Sequence, residues 1–202
     1  AIRGAVELLG EDVPGERREQ FIRNIRTESA RMEDLVERML QLASLEKRSS
    51  LDTTESIEMR DLLEGISRDF QVEILNRELQ VHIDCEPDIR IRAERFLIRQ
   101  ALSNLLQNAI DFSPRGGEIV IGCSLGEGMV EIAITDQGPG VPDYARERIF
   151  DRFYSLPRPG SEIKSTGLGL NFVREAVELH GGRVRIDRID EATRAGVWIP
   201  RG

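Results

Sequence analysis

The run MVEIAITDQGPGVP, residues 129–142, sets an alternating apolar stretch directly against a turn holding two glycines and two prolines. Val130, Ile132 and Ile134 alternate with Glu131, Ala133 and Thr135, the period-2 pattern of a strand half buried in a sheet. Asp136 therefore stands at the strand's end. Gly138 and Gly140 permit backbone conformations closed to other residues and let a ligand approach the main chain, while Pro139 and Pro142 stiffen the turn. A planar ligand carrying hydrogen-bond donors suits such a place. Taken alone, DxGxG is more often an ordinary surface turn, so the rest of the chain must decide.

The 202 residues are enough for one large or two modest domains, and 40% hydrophobic with 32% charged content predicts a soluble protein with a real core. A formal net charge of −8, from 36 acidic against 28 basic residues, argues against a nucleic-acid partner or an anionic-membrane surface. Any polyanionic ligand must be held locally. Cys85 and Cys123 lie in apolar, strand-like contexts without CxxC spacing, which predicts buried thiols in a reducing compartment rather than a disulfide or metal site. No run approaches the roughly 18 apolar residues of a membrane span, and the N-terminus lacks the regions of a signal peptide.

Upstream of residue 48 there is no strand pattern. Ile2, Ala5, Val6 and Leu9 mark a short apolar helical face, GEDVPGE breaks it, and Pro14 suits the first turn of a second helix running to about Lys47. That helix carries Phe21, Ile25, Met32, Leu35, Met39 and Leu42 at spacings of threes, fours and sevens. Two helices alone bury too little, so the stripe completes a homodimeric four-helix arrangement with a second copy or packs on the chain's own C-terminal domain. The polar stretch EKRSSLDTTES then reads as a linker over 49–56, and a second domain starts near Ile57. There the patterns alternate: a helix from Met59 to about Arg77, strands LQVHID and IRIRA, a long helix from Glu94 to Phe112, and two strands joined by GEG. A short helix near Asp143 to Phe150, an irregular stretch SLPRPGSEIKSTG, a helix from about Leu168 to His180, and strands RVRIDRI and GVWIP follow. The pattern is mixed α/β. The irregular stretch is the one long loop, a candidate lid over Ser155–Thr166.

On the long helix, Asn104 and Asn108 stand four apart and so share a face. Such a pair is usually a solvated face. Neutral amide oxygens can also complete the shell of a Mg2+ that takes phosphate oxygens and waters, without carboxylate charge to repel the phosphates. STGLGL at 165–170 opens a predicted helix, so free N–H groups there can receive phosphate oxygens, although a flexible loop leading into a helix cap reads as well. Between the glycine motifs, Phe150 and Phe153 suit hydrophobic anchors for a loop, or plain core packing.

In order and spacing, NLLQNAIDFSP (104–114), DQGPGVP (136–142), IFDRFY (149–154) and TGLGLNFVREAVELHGG (166–182) resemble the N, G1, F and G2 boxes of sensor histidine kinases. The helical hairpin upstream resembles their dimerisation and histidine-phosphotransfer domain, and the variants FYSLPRP and NAIDFSP look most like the CreC-type branch. The resemblance implies an α+β chain: a helical hairpin over 1–48, half of a dimeric four-helix bundle, then a Bergerat-type α/β sandwich that binds ATP over 57–202. It implies that Asp136 accepts from the adenine amino group above Gly138 and Gly140, and that Asn108 is a Mg2+ ligand with Asn104 near the phosphates. The backbone of Thr166, Gly167, Leu168, Gly169 and Leu170 would cradle those phosphates, and Arg152, Tyr154 and Lys164 are candidate lid or phosphate contacts. ATP and Mg2+ are the implied cofactors. A response-regulator receiver domain and a second copy are the implied partners, in a cytoplasmic domain tied to a bacterial inner membrane only through segments upstream.

Three departures stand out. Asp111 occupies a position where relatives often carry a basic residue, and Ser165 stands where a glycine is usual, a change a helix-capping serine would make tolerable. The phosphoacceptor histidine, normally in a motif like HExxxPL just before a segment resembling AIRGAVELL, has no counterpart in a sequence opening at Ala1. The expectation is a fragment beginning just downstream of its acceptor, unable to phosphorylate itself, with no catalytic base to name. His82, in a strand pattern, and His180, at a helix end, read as structural. Two other functions share the nucleotide fold: a clamp-type ATPase with an internal carboxylate and a transducer domain, and a nucleotide-gated scaffold without catalysis.

Overall fold

The structure, a computed structural model, describes residues 15–126, 128–157 and 165–202. Ile2, Ala5, Val6 and Leu9 of the expected first helix, and Lys164 with most of the candidate lid, lie outside the described residues. The chain divides into two compact units, Ala1–Ser44 and Leu45–Gly202.

The first unit holds most of helix α1, Gly15–Glu46, which stops within a residue of the sequence expectation; Pro14, expected in its first turn, lies outside the described residues. Its apolar stripe is unevenly covered: Leu42 is 3% exposed, whereas Met32 and Met39 are 58% and 41% exposed. Val36 and Leu40 are open as well, and with Met32 at successive fourth positions they line a shallow apolar groove edged by Glu33 and Glu37.

In the second unit a five-stranded sheet has the order β2-β4-β5-β7-β6, built from β2 (Gln80–Cys85), β4 (Glu118–Gly126), β5 (Met129–Asp136), β6 (Arg183–Ile189) and β7 (Ala192–Pro200). Only β2 and β4 run parallel. The crossover that a parallel pair requires passes through β3 (Arg90–Ala93) and α4 (Arg95–Phe112). Together with α2 (Met59–Asp69) and α5 (Gly169–Leu179), α4 buries its apolar side chains against one sheet face, giving the α/β sandwich. Ile119, Ile121, Val130, Ile132, Ile134, Val197 and Ile199 form the sheet's side of that core. At the centre of the sheet, β5 ends at Asp136.

Two elements differ from expectation. The single helix foreseen from Met59 to Arg77 breaks at Phe70, leaving a short α3 over Gln71–Asn76. Met59, Leu62, Leu63 and Ile66 share one buried stripe, but the positions that would continue it, Asp69 and Glu73, are polar, and Val72 and Leu75 fall out of phase and stay 66% exposed each. Strand β1, Glu55–Glu58, begins inside the stretch read as a linker and pairs antiparallel with β3. Polar composition hid it, because only Ile57 faces inward, fully buried.

Helix α4 is tied at both ends. At its start the Glu94 carboxylate holds Arg48 through two bonds of 3.0 and 2.7 Å, and the Glu94 N–H donates to His180 Nε2 at 3.0 Å. At its end Arg77 donates to the carbonyls of Asp111 and Ser113 at 3.0 and 3.1 Å, a cation on the negative end of the helix. His180 is thus a buried connector, as read from sequence: Nδ1 lies 2.7 Å from Ala176 O, and burial holds its pKa below the ordinary value. Cys85 and Cys123 are buried free thiols opposite each other on β2 and β4, and burial raises both pKa values, leaving little reactive thiolate.

Candidate functional site

Asp136 is 6% exposed, and its Oδ1 accepts from the Gly138 N–H at 2.7 Å. Burial pushes its pKa up to about 6, against the opposing pull of that N–H and of the Thr193 hydroxyl. Thr193 comes from β7, where it is the register partner of Asp136, and its single hydroxyl proton is shared between that carboxylate and Gly138 O at 3.4 Å. The carboxylate therefore lacks the solvation it would have in water and has room for a further donor. A Cβ on Gly138 would lie 2.5 Å from Asp136 Oδ1 and 3.0 Å from Phe112 O, so only glycine lets the turn close on both the carboxylate and the end of α4. Gln137 fastens the turn to β4 by accepting from the Glu118 N–H at 3.1 Å, and Arg188 Nη1 reaches Pro139 O at 3.3 Å beside Gly140.

The second half of the site is the start of α5. Asn104 is 9% exposed; its Nδ2 donates to Gly169 O at 3.4 Å and its Oδ1 accepts from Gln100. Asn108, half buried one turn on, makes no side-chain hydrogen bond to a described residue, so its amide oxygen is available to a cation or ligand. The helix N-cap is Leu168, without a side-chain cap. Ser165 does not cap it, contrary to expectation, because it lies too far upstream of the first helical residue. The first-turn N–H groups, which have no acceptor inside a helix, are thus free to donate to a ligand lying along the Thr166, Gly167, Leu168, Gly169 and Leu170 backbone.

Gly167 has φ +67 and presses so closely on the F box that a Cβ would lie 2.5 Å from the Phe153 carbonyl carbon. Phe153 itself has φ +63 and is 57% exposed, so it is no core anchor. Ile149, 6% exposed, and Ala145 fill that role; the short helix expected over 143–150 is a 3-10 turn at Asp143–Ala145 followed by further turns. Two predicted residues have their side chains engaged elsewhere although their backbone adjoins Gly167: Arg152 forms an ion pair with Glu46, which falls within the second unit, and Tyr154 lies under Arg148 at 4.6 Å, while its backbone nitrogen would sit 2.7 Å from a Cβ on Gly167. Asp111 accepts from Gln107 at 3.2 Å on the same helix.

A family model for "Histidine kinase-, DNA gyrase B-, and HSP90-like ATPase" matches residues 93–202, spanning all of these elements. The chain belongs to that ATPase family. A second model, the phospho-acceptor domain of histidine kinases, matches residues 1–48, and the two together mark the sensor histidine kinases. The sensor protein CreC of Escherichia coli is 41% identical over 191 residues, 95% of this chain and 40% of that protein. The sensor-like histidine kinase SenX3 of Mycobacterium tuberculosis is 30% identical over 91% of this chain and 46% of its own length, so the chain spans less than half of these relatives. Among solved structures, the catalytic domain of histidine kinase ThkA superposes with a TM-score of 0.67 at 25% identity, covering 74% of this chain and 97% of that one. No helix among the described residues is long and apolar enough to cross a membrane.

Proposed function

We propose that the chain is the ATP-binding catalytic portion of a sensor histidine kinase. It positions the γ-phosphoryl group of ATP for transfer to a histidine of a helical hairpin, from which it passes to an aspartate of a response regulator. The observation that carries this reading is the buried Asp136 carboxylate, braced by the Gly138 N–H at 2.7 Å, at the open end of the central strand. It accepts a hydrogen bond from the adenine amino group, with Gly138 and Gly140 keeping the backbone low beneath the ring. The phosphates lie against the backbone that leads into α5, Thr166, Gly167 and Leu168, and against its first residues, Gly169 and Leu170. Asn104 fixes that turn, and Asn108 is the amide that holds Mg2+. When bound, Mg2+ supplies charge neutralisation between the phosphates. Arg152, Tyr154 and Lys164 serve the lid side, which requires Arg152 to leave Glu46.

The hairpin takes residues 1–48, the joint 49–56 and the catalytic domain 57–202. The open apolar face of Met32, Val36 and Leu40 supports a second copy as the hairpin's partner. A structure of ThkA in complex with its response regulator TrrA shares this fold at a TM-score of 0.78 and 22% identity, which favours a receiver domain as the other partner. Membrane attachment, by analogy with the sensor proteins, rests on segments upstream.

The test is incubation of the chain with γ-labelled ATP and Mg2+, with and without a separate hairpin carrying a phosphoacceptor histidine. His82 lies on β2 beside Glu118 and His180 is buried, so the chain alone stays unlabelled while the added hairpin gains acid-labile label. Hydrolysis without transfer would indicate a clamp-type ATPase, and binding without either would indicate a scaffold. Acid-labile label on His82 or His180 would overturn the domain assignment.

A further inference from the structure

Asn171 is 2% exposed and lies in the first turn of α5, a position where a small apolar side chain would bury without cost. Instead its Nδ2 donates to Phe150 O at 3.0 Å, and its Oδ1 is buried with no hydrogen-bond partner among the described residues. A buried amide oxygen left unpaired is destabilising, so the amide does not stand there for stability alone. One turn further along the same helix face, Arg174 stacks over the Phe150 ring at 6.0 Å. The F box is thus gripped by α5 at a carbonyl and at a ring. A third tie, from the Phe153 N–H to Gly167 O at 2.9 Å, lies at the point where Phe153 and Gly167 both adopt left-handed backbone. All three ties join residues 150–153 to residues 167–174, so the segment 154–166 leaves and returns through one clasp.

We propose that Asn171 is a positioning residue for the phosphate end of the nucleotide. Its amide locks the Phe150 carbonyl to the first turn of α5, so that the N–H groups of Gly167 to Leu170 keep one direction whatever the segment between the ties does. A strained pair such as Phe153 and Gly167 holds its conformation only where the surroundings over-determine it. The amide supplies that constraint from the helix side. The Asp136 turn lies at the end of β5 and receives no bond from Asn171, so the clasp acts on the phosphates and not on the base. This inference rests on the nucleotide reading above.

The experiment compares Asn171→Ala and Asn171→Ser with the unsubstituted chain by calorimetric titration with ATP and, separately, with adenosine, both with Mg2+ present. Amide hydrogen exchange at residues 150–153 and 167–170 is followed in parallel. The alanine variant weakens ATP binding about tenfold, the size of one lost hydrogen bond, while adenosine affinity stays within about twofold and exchange quickens at both ties. The serine variant, which keeps a small donor and removes the unpaired oxygen, falls between the two. Equal losses for ATP and adenosine would reduce Asn171 to a structural residue and overturn the proposal, as would ATP affinity unchanged in both variants. If alanine prevents folding, the serine variant and Arg174→Ala carry the same comparison, with ATP-selective loss required of each. Failure of the unsubstituted chain to bind either compound would instead overturn the nucleotide reading itself, and the clasp with it.

Discussion

The two halves of the site are built on opposite principles. The Asp136 half grows out of the central strand: Asp136 is 6% exposed and its carboxylate is braced by its own turn and by Thr193 of the neighbouring strand. The Gly167 half is a meeting of two irregular segments, with left-handed backbone at Phe153 and Gly167 and few ties between them. A strand at the centre of a sheet cannot move without breaking a ladder on each side, whereas the clasp at the base of the loop is held by three ties alone. Ladder geometry suits selection of a base; a clasp suits holding the phosphates in one direction from outside any ladder.

Asp136→Asn is the sharpest way to break this comparison. The amide can turn a donor toward the adenine amino group, and losing a charge-assisted bond of about 1.5–3 kcal/mol weakens ATP binding roughly 10- to 150-fold. The same change stabilises the empty domain, because a carboxylate whose pKa is raised to about 6 is held ionised at a cost. Thermal unfolding and ATP titration of one variant should therefore move in opposite directions. A fall in both would make Asp136 a structural group.

Titration by pH gives the same contrast without mutation. The folded domain binds the Asp136 proton more tightly than the unfolded chain, so acidification from pH 7 toward pH 4 adds stability through this group, on the order of 3 kcal/mol at the limit. Over the upper part of that window ATP affinity falls, by about tenfold between pH 7 and pH 5, as the carboxylate protonates. His180 works the other way: burial lowers its pKa, so its contribution is present above its ordinary value near 6.5 and is lost as pH falls below it. In Asp136→Asn the His180 loss remains, joined toward pH 4 by those of Glu94 and Glu78, whose carboxyls Arg48 and Arg115 hold below the ordinary value, and stability should then fall steadily on acidification. A rise would mean that another group carries the effect.

How legible each half was follows from the same difference. The strand, the turn and Asp136 were readable because alternation and DxGxG are local patterns, and the long helix with Asn104 and Asn108 was readable from its period. Thr193 was not, since nothing in its own neighbourhood marks it; only the register of β7 against β5 brings it to Asp136. Strand β1 was lost to polar composition, with a single inward side chain at Ile57. Around the clasp, the residue types suggested anchors at Phe150 and Phe153, but backbone strain puts Phe153 outside, and the hydrogen bond of Asn171 to a carbonyl has no sequence signature. Local patterns report the regular half of the site; the irregular half is set by close approach of distant backbone.

Asn108→Ala sharpens the comparison from the metal side. Its amide makes no hydrogen bond to a described residue, unlike that of Asn104, so its removal should leave folding intact and lower Mg2+-dependent ATP affinity on the order of tenfold, with adenosine binding unchanged. Titrations with and without Mg2+ separate the two cases. Equal losses in both conditions would place Asn108 in the packing of α4 rather than at the phosphates.

The smallest effect tests whether the loop half is held back by its own surroundings. Arg152 leads into the segment above the clasp, and its guanidinium is paired with Glu46 at the end of α1, both within the second unit. For Arg152 to serve the phosphates it must leave that carboxylate. Arg152 is half exposed, so the pair stabilises by no more than about 1 kcal/mol. Glu46→Gln should then raise ATP affinity by a few-fold at most, with the gain shrinking at high salt, while Glu46→Gln combined with Arg152→Ala should show no gain over Arg152→Ala alone. Because adenosine lacks the phosphates, its affinity should not change in any of these variants. A gain for adenosine would mean that Glu46 acts through the Asp136 half, and the division of labour between a base site and a phosphate site would fail.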